Sequence, residues 1–90
     1  MDVVYSEKAQ RDIKFWKKSG NKPVMNKISA LVADIQVNPF EGTGKPEPLK
    51  YELIGKWSRR INQEHRIVYQ ITAIDNTEIL DILSLKGHYE

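Results

Sequence analysis

Residues 44–50 read GKPEPLK, with Glu47 between Pro46 and Pro48, Lys45 two residues before it and Lys50 three after. Proline fixes φ and carries no backbone donor, so this carboxylate has little freedom to wander. A solvated loop gains nothing by holding an acid so firmly. Further along, WSRRINQEHRIVY supplies Arg59, Arg60 and Arg66, and the chain closes on GHYE with His88 and Tyr89. Carboxylate, guanidinium and imidazole are the residue types from which anion binding and proton transfer are built. Type alone leaves the bland alternative open, in which Glu47 is a loop acid and His88-Tyr89 a frayed terminus.

Other chemistries have less to work with. The 90 residues contain no cysteine, which removes disulfides, thiolate metal sites and cysteine nucleophiles and favours a reducing, intracellular setting. The two histidines, His65 and His88, belong to no metal-binding motif, so neither a metal nor another cofactor is expected. No apolar run approaches the roughly 20 residues that span a bilayer, and Asp2 spoils the basic start of a secretory signal. A cytoplasmic protein with no membrane partner, folded as one domain over residues 1–90, is the expectation.

The formal net charge of +2 hides an uneven distribution. Residues 7–22 carry six cations against Glu7 and Asp12, residues 44–66 carry six against three acids, and residues 67–90 set Lys86 against four acids. Two basic regions on a small domain suggest an anionic partner. For the first region, with Lys14, Lys17 and Lys18, a solvated helix face is the simpler reading.

The elements that must position these residues follow from periodicity. After the β-rich DVVYS, Ser6 is a natural N-cap, and Ala9, Ile13 and Trp16 give one apolar helical face that ends before Ser19-Gly20. Pro23 opens a second helix, in which Val24, Ile28, Leu31 and Ile35 repeat until Asn38-Pro39. The period then changes from 3.6 to 2. Leu49, Tyr51 and Leu53 alternate, Gly55 marks a turn, and WSRRI, RIVYQIT and EILDILSL read as strands separated by NQEH and Asp75-Asn76. The last of these is apolar on both sides at residues 79–83, as a strand covered on both faces would be. The fold class is α+β: an N-terminal strand and a two-helix hairpin on one face of a mainly antiparallel sheet of four to five strands.

The hairpin register has a consequence for the arginines. Placing Trp57 and Ile61 on the same side as Ile67, Tyr69 and Ile71 requires an odd loop. A three-residue loop, Asn62–Glu64, pairs Ile61 with His65 and sets Arg60 opposite Arg66 on the face away from the core. Like charges directly opposite cost under about 1 kcal/mol, less than misplacing several apolar side chains. Paired arginines on an open sheet face make an anion site, against the plain alternative of two independent solubilising side chains.

NPFEGTGKPEPLK, WSRRINQEHRIVY and the terminal GHY, in this order and spacing, resemble the Txe/YoeB family of the RelE/ParE superfamily of toxin–antitoxin toxins, and the similarity covers essentially the whole chain. The resemblance implies a ribosome-dependent endoribonuclease that cuts mRNA in the decoding (A) site and is neutralised by a cognate antitoxin, a Phd/YefM-like protein. It also implies a carboxylate base at Glu47, phosphate-binding residues at Lys50, Arg60 and Arg66, and a C-terminal acid at His88 with Tyr89 beside it; Lys45 adds a neighbouring cation. Glu64 matches a further acidic position with no role assigned. The chain departs from the family pattern at Thr43, where a basic residue is frequent, in a longer hairpin around residues 74–78, and in Glu90, which follows the tyrosine that often ends the chain.

Metal-free RNA cleavage needs the ribose 2′-hydroxyl to attack the adjacent phosphate. A base must take one proton, an acid must deliver another to the departing 5′-oxygen, and cations must meet the growing charge. Glu47, His88 and the Arg60–Arg66 pair fill those roles, and Tyr89 can stack on an unpaired base. The expected partners are therefore mRNA, the ribosome and an antitoxin, with Lys14, Lys17 and Lys18 assigned to ribosomal RNA and a homodimer left open. The antitoxin is expected to cover the site or displace the tail, at little energetic cost because the tail has few residues to anchor it. The alternative is a non-catalytic toxin of the same superfamily that binds a protein target such as gyrase, or an RNA-binding module.

Overall fold

A computed structural model describes residues 1–88; Tyr89 and Glu90 lie outside the described residues. The elements run β1 (Asp2–Tyr5), α1 (Glu7–Ser19), α2 (Lys22–Val37), β2 (Glu47–Pro48), a 3-10 turn (Tyr51–Leu53), β3 (Trp57–Arg60), β4 (Arg66–Ile74) and β5 (Thr77–Ser84). Both helices start where a side-chain cap is available. Ser6 accepts from the Ala9 amide and Asn21 from the Val24 amide, and α1 closes on Gly20 in the left-handed region with φ 69°.

The five strands form one sheet in the order β1-β5-β4-β3-β2. β1 runs parallel to β5 and every other pair is antiparallel, and the helical hairpin carries the chain from β1 on one edge of the sheet to β2 on the other. Ala9 and Trp16 of α1 and Val24, Ile28, Leu31, Val32 and Ile35 of α2 pack on Ile61, Ile67, Tyr69, Leu80 and Ile82 of the sheet. Each of these was on the apolar face expected from periodicity or joins it, because one helical stripe covers one face of the pleat. Asp75 and Asn76 both take positive φ, 50° and 66°, in the two-residue turn between β4 and β5, a geometry that suits right-twisted strands.

One expected strand is absent. The alternation of Leu49, Tyr51 and Leu53 does not make a ladder: β2 contains only Glu47 and Pro48, and the chain then turns through Tyr51, whose φ is 58° and which lies exposed. Only the Leu49 amide continues the pairing, donating to the Lys56 carbonyl at 2.9 Å. The 3-10 turn then takes the backbone groups a ladder would need, with the Leu53 amide donating to the Lys50 carbonyl and the Ile54 amide to the Tyr51 carbonyl, both at 3.1 Å.

Candidate active site

The register settles which side chains share the face opposite the helices. Glu47 pairs with Ser58, Ser58 with Val68, and Arg60 with Arg66. Directly paired residues point to the same side, and successive residues alternate, so Glu47, Ser58, Arg60, Arg66 and Val68 occupy one face. The paired arginines stand as the odd-loop argument required: the Ile61 amide donates to the His65 carbonyl at 3.0 Å, closing the three-residue loop. Strand spacing places Arg66 about 10 Å across the sheet and about 7 Å along it from Glu47, backbone to backbone.

Glu47 is aimed by the loop before it. The Arg60 amide donates to Gly44 at 2.7 Å, yet two residues back along β3 the partner is Glu47, three residues on from Gly44. The extra residue is a bulge, and Lys45 takes φ 52° within it. Gly44 must remain glycine, because a Cβ there would lie 3.0 Å from Leu31 and 3.1 Å from the Arg60 carbonyl, at φ 81°. Lys45 and Lys50 stand exposed on either side of β2, and neither joins an ion pair among the described residues.

Arg60 is exposed and Arg66 half-buried, and among the described residues neither has a carboxylate partner. Arg66 Nη1 donates to the Asn62 carbonyl at 3.0 Å, which orients the guanidinium without neutralising it. Glu64 is exposed, with its carboxylate 4.0 Å from His65 Nε2. Lys14, Lys17 and Lys18 are exposed on α1, and so belong to the helical layer rather than to the face that carries Glu47.

The tail is held more firmly than its length suggests. Val68 faces Ser84 while Tyr69 faces Ile82, so Leu83 is an extra residue that bulges out of β5 and redirects the chain. Beyond it the Leu85 amide donates to Asp12 Oδ2 at 2.9 Å, and Trp16 Nε1 donates to the Leu85 carbonyl at 2.9 Å. Lys8 Nζ bridges Asp12 and the Lys86 carbonyl at 2.8 and 3.1 Å. The Gly87 amide donates to His65 Nδ1 at 3.0 Å, and the Gly87 carbonyl accepts from the Arg66 amide at 2.9 Å. Polar groups of α1 thus hold the backbone of residues 85 and 86, and His65 and Arg66 hold Gly87, the segment that leads into His88. His88, exposed, follows directly beside Arg66. The expectation for Tyr89 falls outside the described residues.

Residue type also concealed a structural cation. Arg59 was counted with the basic region of residues 44–66, but its side chain is fully buried. Its guanidinium donates to Tyr69 Oη at 3.2 Å, Asp34 Oδ2 at 2.5 Å, the Thr43 carbonyl at 3.2 Å, the Glu41 carbonyl at 2.8 Å and the Asn38 carbonyl. Tyr69 in turn donates to the Pro39 carbonyl at 2.6 Å. The Arg59 hydrogen bond, followed by the Thr43 amide, holds the Asp34 carboxyl below the ordinary value, whereas burial pushes the Tyr69 phenol up against the opposing pull of Arg59. Arg59 thus fastens the loop that leads into Glu47. The signal in sequence was its position on the apolar side of β3, where a charge needs partners. For His65 the signal was its place opposite Ile61, on the core side.

With this geometry in view, the relatives are informative. The family model described as "YoeB-like toxin of bacterial type II toxin-antitoxin system" matches residues 5–89. Toxin YoeB of Escherichia coli (strain K12) is 43% identical over 89 residues, covering 99% of this chain and 100% of that protein. Among solved structures, the YoeB/ParE toxin from Agrobacterium tumefaciens superposes with a TM-score of 0.92 at 36% identity, covering 99% of this chain and 100% of that one. Toxin from the YoeB-YefM complex of Staphylococcus aureus gives 0.84 at 42% identity, covering 99% and 98%. A match of this extent in sequence and in fold leads to one conclusion: the chain belongs to the YoeB-like toxins of bacterial type II toxin–antitoxin systems.

Proposed function

We propose that this toxin cuts ribosome-bound mRNA in the A site, without a metal ion, through general acid/base attack of the ribose 2′-hydroxyl. The observation that carries the reading is the register that sets Glu47 on β2 and the Arg60–Arg66 pair of β3 and β4 on one sheet face, with the Gly87 carbonyl bonded to the Arg66 amide and His88 next in the chain. In-line displacement needs a base and an acid on opposite sides of the phosphorus, with cations between them; we assign the base to Glu47, the cations to Arg60 and Arg66, and the acid to His88.

Glu47 takes the 2′-hydroxyl proton. An ordinary carboxylate is a weak base for this task, so the bulge and the two prolines contribute by positioning it. Arg66 and Arg60 bind the phosphate oxygens, and their mutual repulsion falls as charge builds on the phosphate. Lys50 and Lys45 add charge beside the same edge. His88 protonates the departing 5′-oxygen, and Tyr89 stacks on a splayed base. Binding a protein target would need no such row of acid, base and cations.

As partners we propose ribosome and mRNA, which the cleavage reading requires, and a YefM-like antitoxin, on the strength of the relatives solved as YoeB-YefM complexes. The relative solved as a YoeB dimer supports self-association as a further assembly. Lys14, Lys17 and Lys18 meet ribosomal RNA from the helical layer. No helix among the described residues is long and apolar enough to cross a membrane, and we place the single toxin domain of residues 1–90 in the cytoplasm, where ribosomes are.

Primer extension on a defined message, with purified ribosomes and with or without the protein, tests this directly. The expected result is cleavage that needs the ribosome and leaves a 2′,3′-cyclic phosphate or its hydrolysis product, with the chemical step insensitive to chelator once ribosome integrity is controlled. A 3′-hydroxyl at the cut contradicts the attack geometry.

A further inference from the structure

His65 has no part in the proton transfers above, yet its side chain meets the C-terminal segment at Gly87, the residue before His88. Four observations fix its ring. The Asn62 side chain caps the loop, accepting from the Glu64 and His65 amides at 2.9 and 2.8 Å. The His65 carbonyl accepts from the Ile61 amide at 3.0 Å and the Asn62 amide at 3.3 Å. The imidazole stands edge-on to Trp16, with centroids 4.9 Å apart and planes at 83°. Trp16 itself is tied to the Leu85 carbonyl, so the ring and the tail share one support.

On this mount, Nδ1 accepts the Gly87 amide at 3.0 Å. An accepting Nδ1 carries no proton, so the ring is the neutral Nε2–H tautomer, with the Glu64 carboxylate 4.0 Å away on the Nε2 side. The next residue is His88, and the Gly87 carbonyl is fixed by the Arg66 amide. Gly87 has φ 103°, a conformation in which glycine alone is at ease, although a Cβ there would meet nothing within 4 Å among the described residues. Two hydrogen bonds hold Gly87 itself, one donated by its amide to His65 and one accepted by its carbonyl from Arg66.

We propose that His65 is a positioning residue for RNA cleavage, whose neutral imidazole holds Gly87 and thereby fixes where His88 delivers its proton. The two histidines then serve in opposite roles, His65 as a hydrogen-bond acceptor and His88 as a donor. The inference rests on the reading of His88 as the acid.

The test uses the full-length protein with His65→Phe, His65→Asn and His88→Ala. Phenylalanine keeps an aromatic edge against Trp16 and removes the acceptor. Asparagine loses the ring but returns an acceptor oxygen at the place of Nδ1. We expect His65→Phe to melt near wild type, to bind ribosomes as tightly, to cut about 10-fold or more slowly in single turnover, and to exchange the Gly87 amide proton faster by NMR. His65→Asn should recover most of the rate per folded molecule. The proposal is overturned by a His65→Phe variant that cuts at the wild-type rate, by one whose Gly87 exchange is unchanged, or by equal loss in the Phe and Asn variants. The acid reading fails separately if His88→Ala cuts like wild type, while slow His88→Ala beside fast His65→Phe removes only the role of His65.

Discussion

Arg59 and Arg60 are consecutive residues of β3 that the pleat sends to opposite faces. On one face Arg59 is buried and spends its donors on Asp34, Tyr69 and three loop carbonyls. On the other, Arg60 is exposed opposite Arg66, with no acidic partner among the described residues. The saturated arginine belongs to the scaffold, because its partners leave nothing for a ligand. The unsaturated pair tolerates a repulsion that bound phosphate relieves. Adjacent residues of one type thus divide between building the site and acting in it, and partner count, rather than charge, tells them apart.

The comparison is most easily broken from the scaffold side. Arg59→Met should strip three carbonyls of their donor and cost on the order of 3 kcal/mol, lowering the melting temperature by about 10 °C or more. Cleavage should fall with the folded fraction and with the looser approach to Glu47. A variant that melts like wild type would show that the loop of residues 38–44 does not depend on Arg59.

On the other face the losses should be catalytic. Glu47→Ala and His88→Ala should each slow cleavage by about 10²-fold or more while leaving the melt unchanged. Wild-type rates from both would sink the acid and base assignments together.

A third difference appears with pH. The Asp34 carboxyl lies below the ordinary value of 3.8 in the folded protein, so its bond to Arg59 stabilises fully above that value and is lost as pH falls through the lower folded value. Acid titration followed by circular dichroism should show this component in the wild type and lose it in Asp34→Asn. Identical acid profiles would mean that the pair contributes nothing to stability.

The smallest effect is expected on the helical layer. Neutralising Lys14, Lys17 and Lys18 should weaken ribosome association and flatten its salt dependence, while leaving cleavage intact at saturation. Unchanged affinity and slope would return these lysines to a solvated helix face.

Much of this arrangement was legible in sequence because binary pattern and loop parity are local rules. Val24, Ile28, Leu31 and Ile35 mark their helix, and the odd loop of residues 62–64 by itself requires Arg60 to face Arg66. What escaped was long-range pairing. Nothing near Arg59 announces Asp34, 25 residues earlier, and nothing near the C-terminus announces Asp12 or Trp16 on α1. Tyr51 misled because alternation of apolar residues at a sheet edge costs nothing to violate, and a positive φ cannot be read from an aromatic residue.

Replacing Arg66 with methionine tests the division of labour most directly, because it removes the charge and keeps an unbranched stem. Thermal melts with and without phosphate should be compared with ribosome-dependent cleavage on the same preparation. The account predicts a variant at least as stable as wild type without anion, no longer stabilised by phosphate, and slower in cleavage by about 10²–10³-fold, with Arg66→Lys recovering only part of the rate. An Arg66→Met protein that melts well below wild type yet cuts normally per folded molecule would place Arg66 with Arg59 in the scaffold and contradict the anion site.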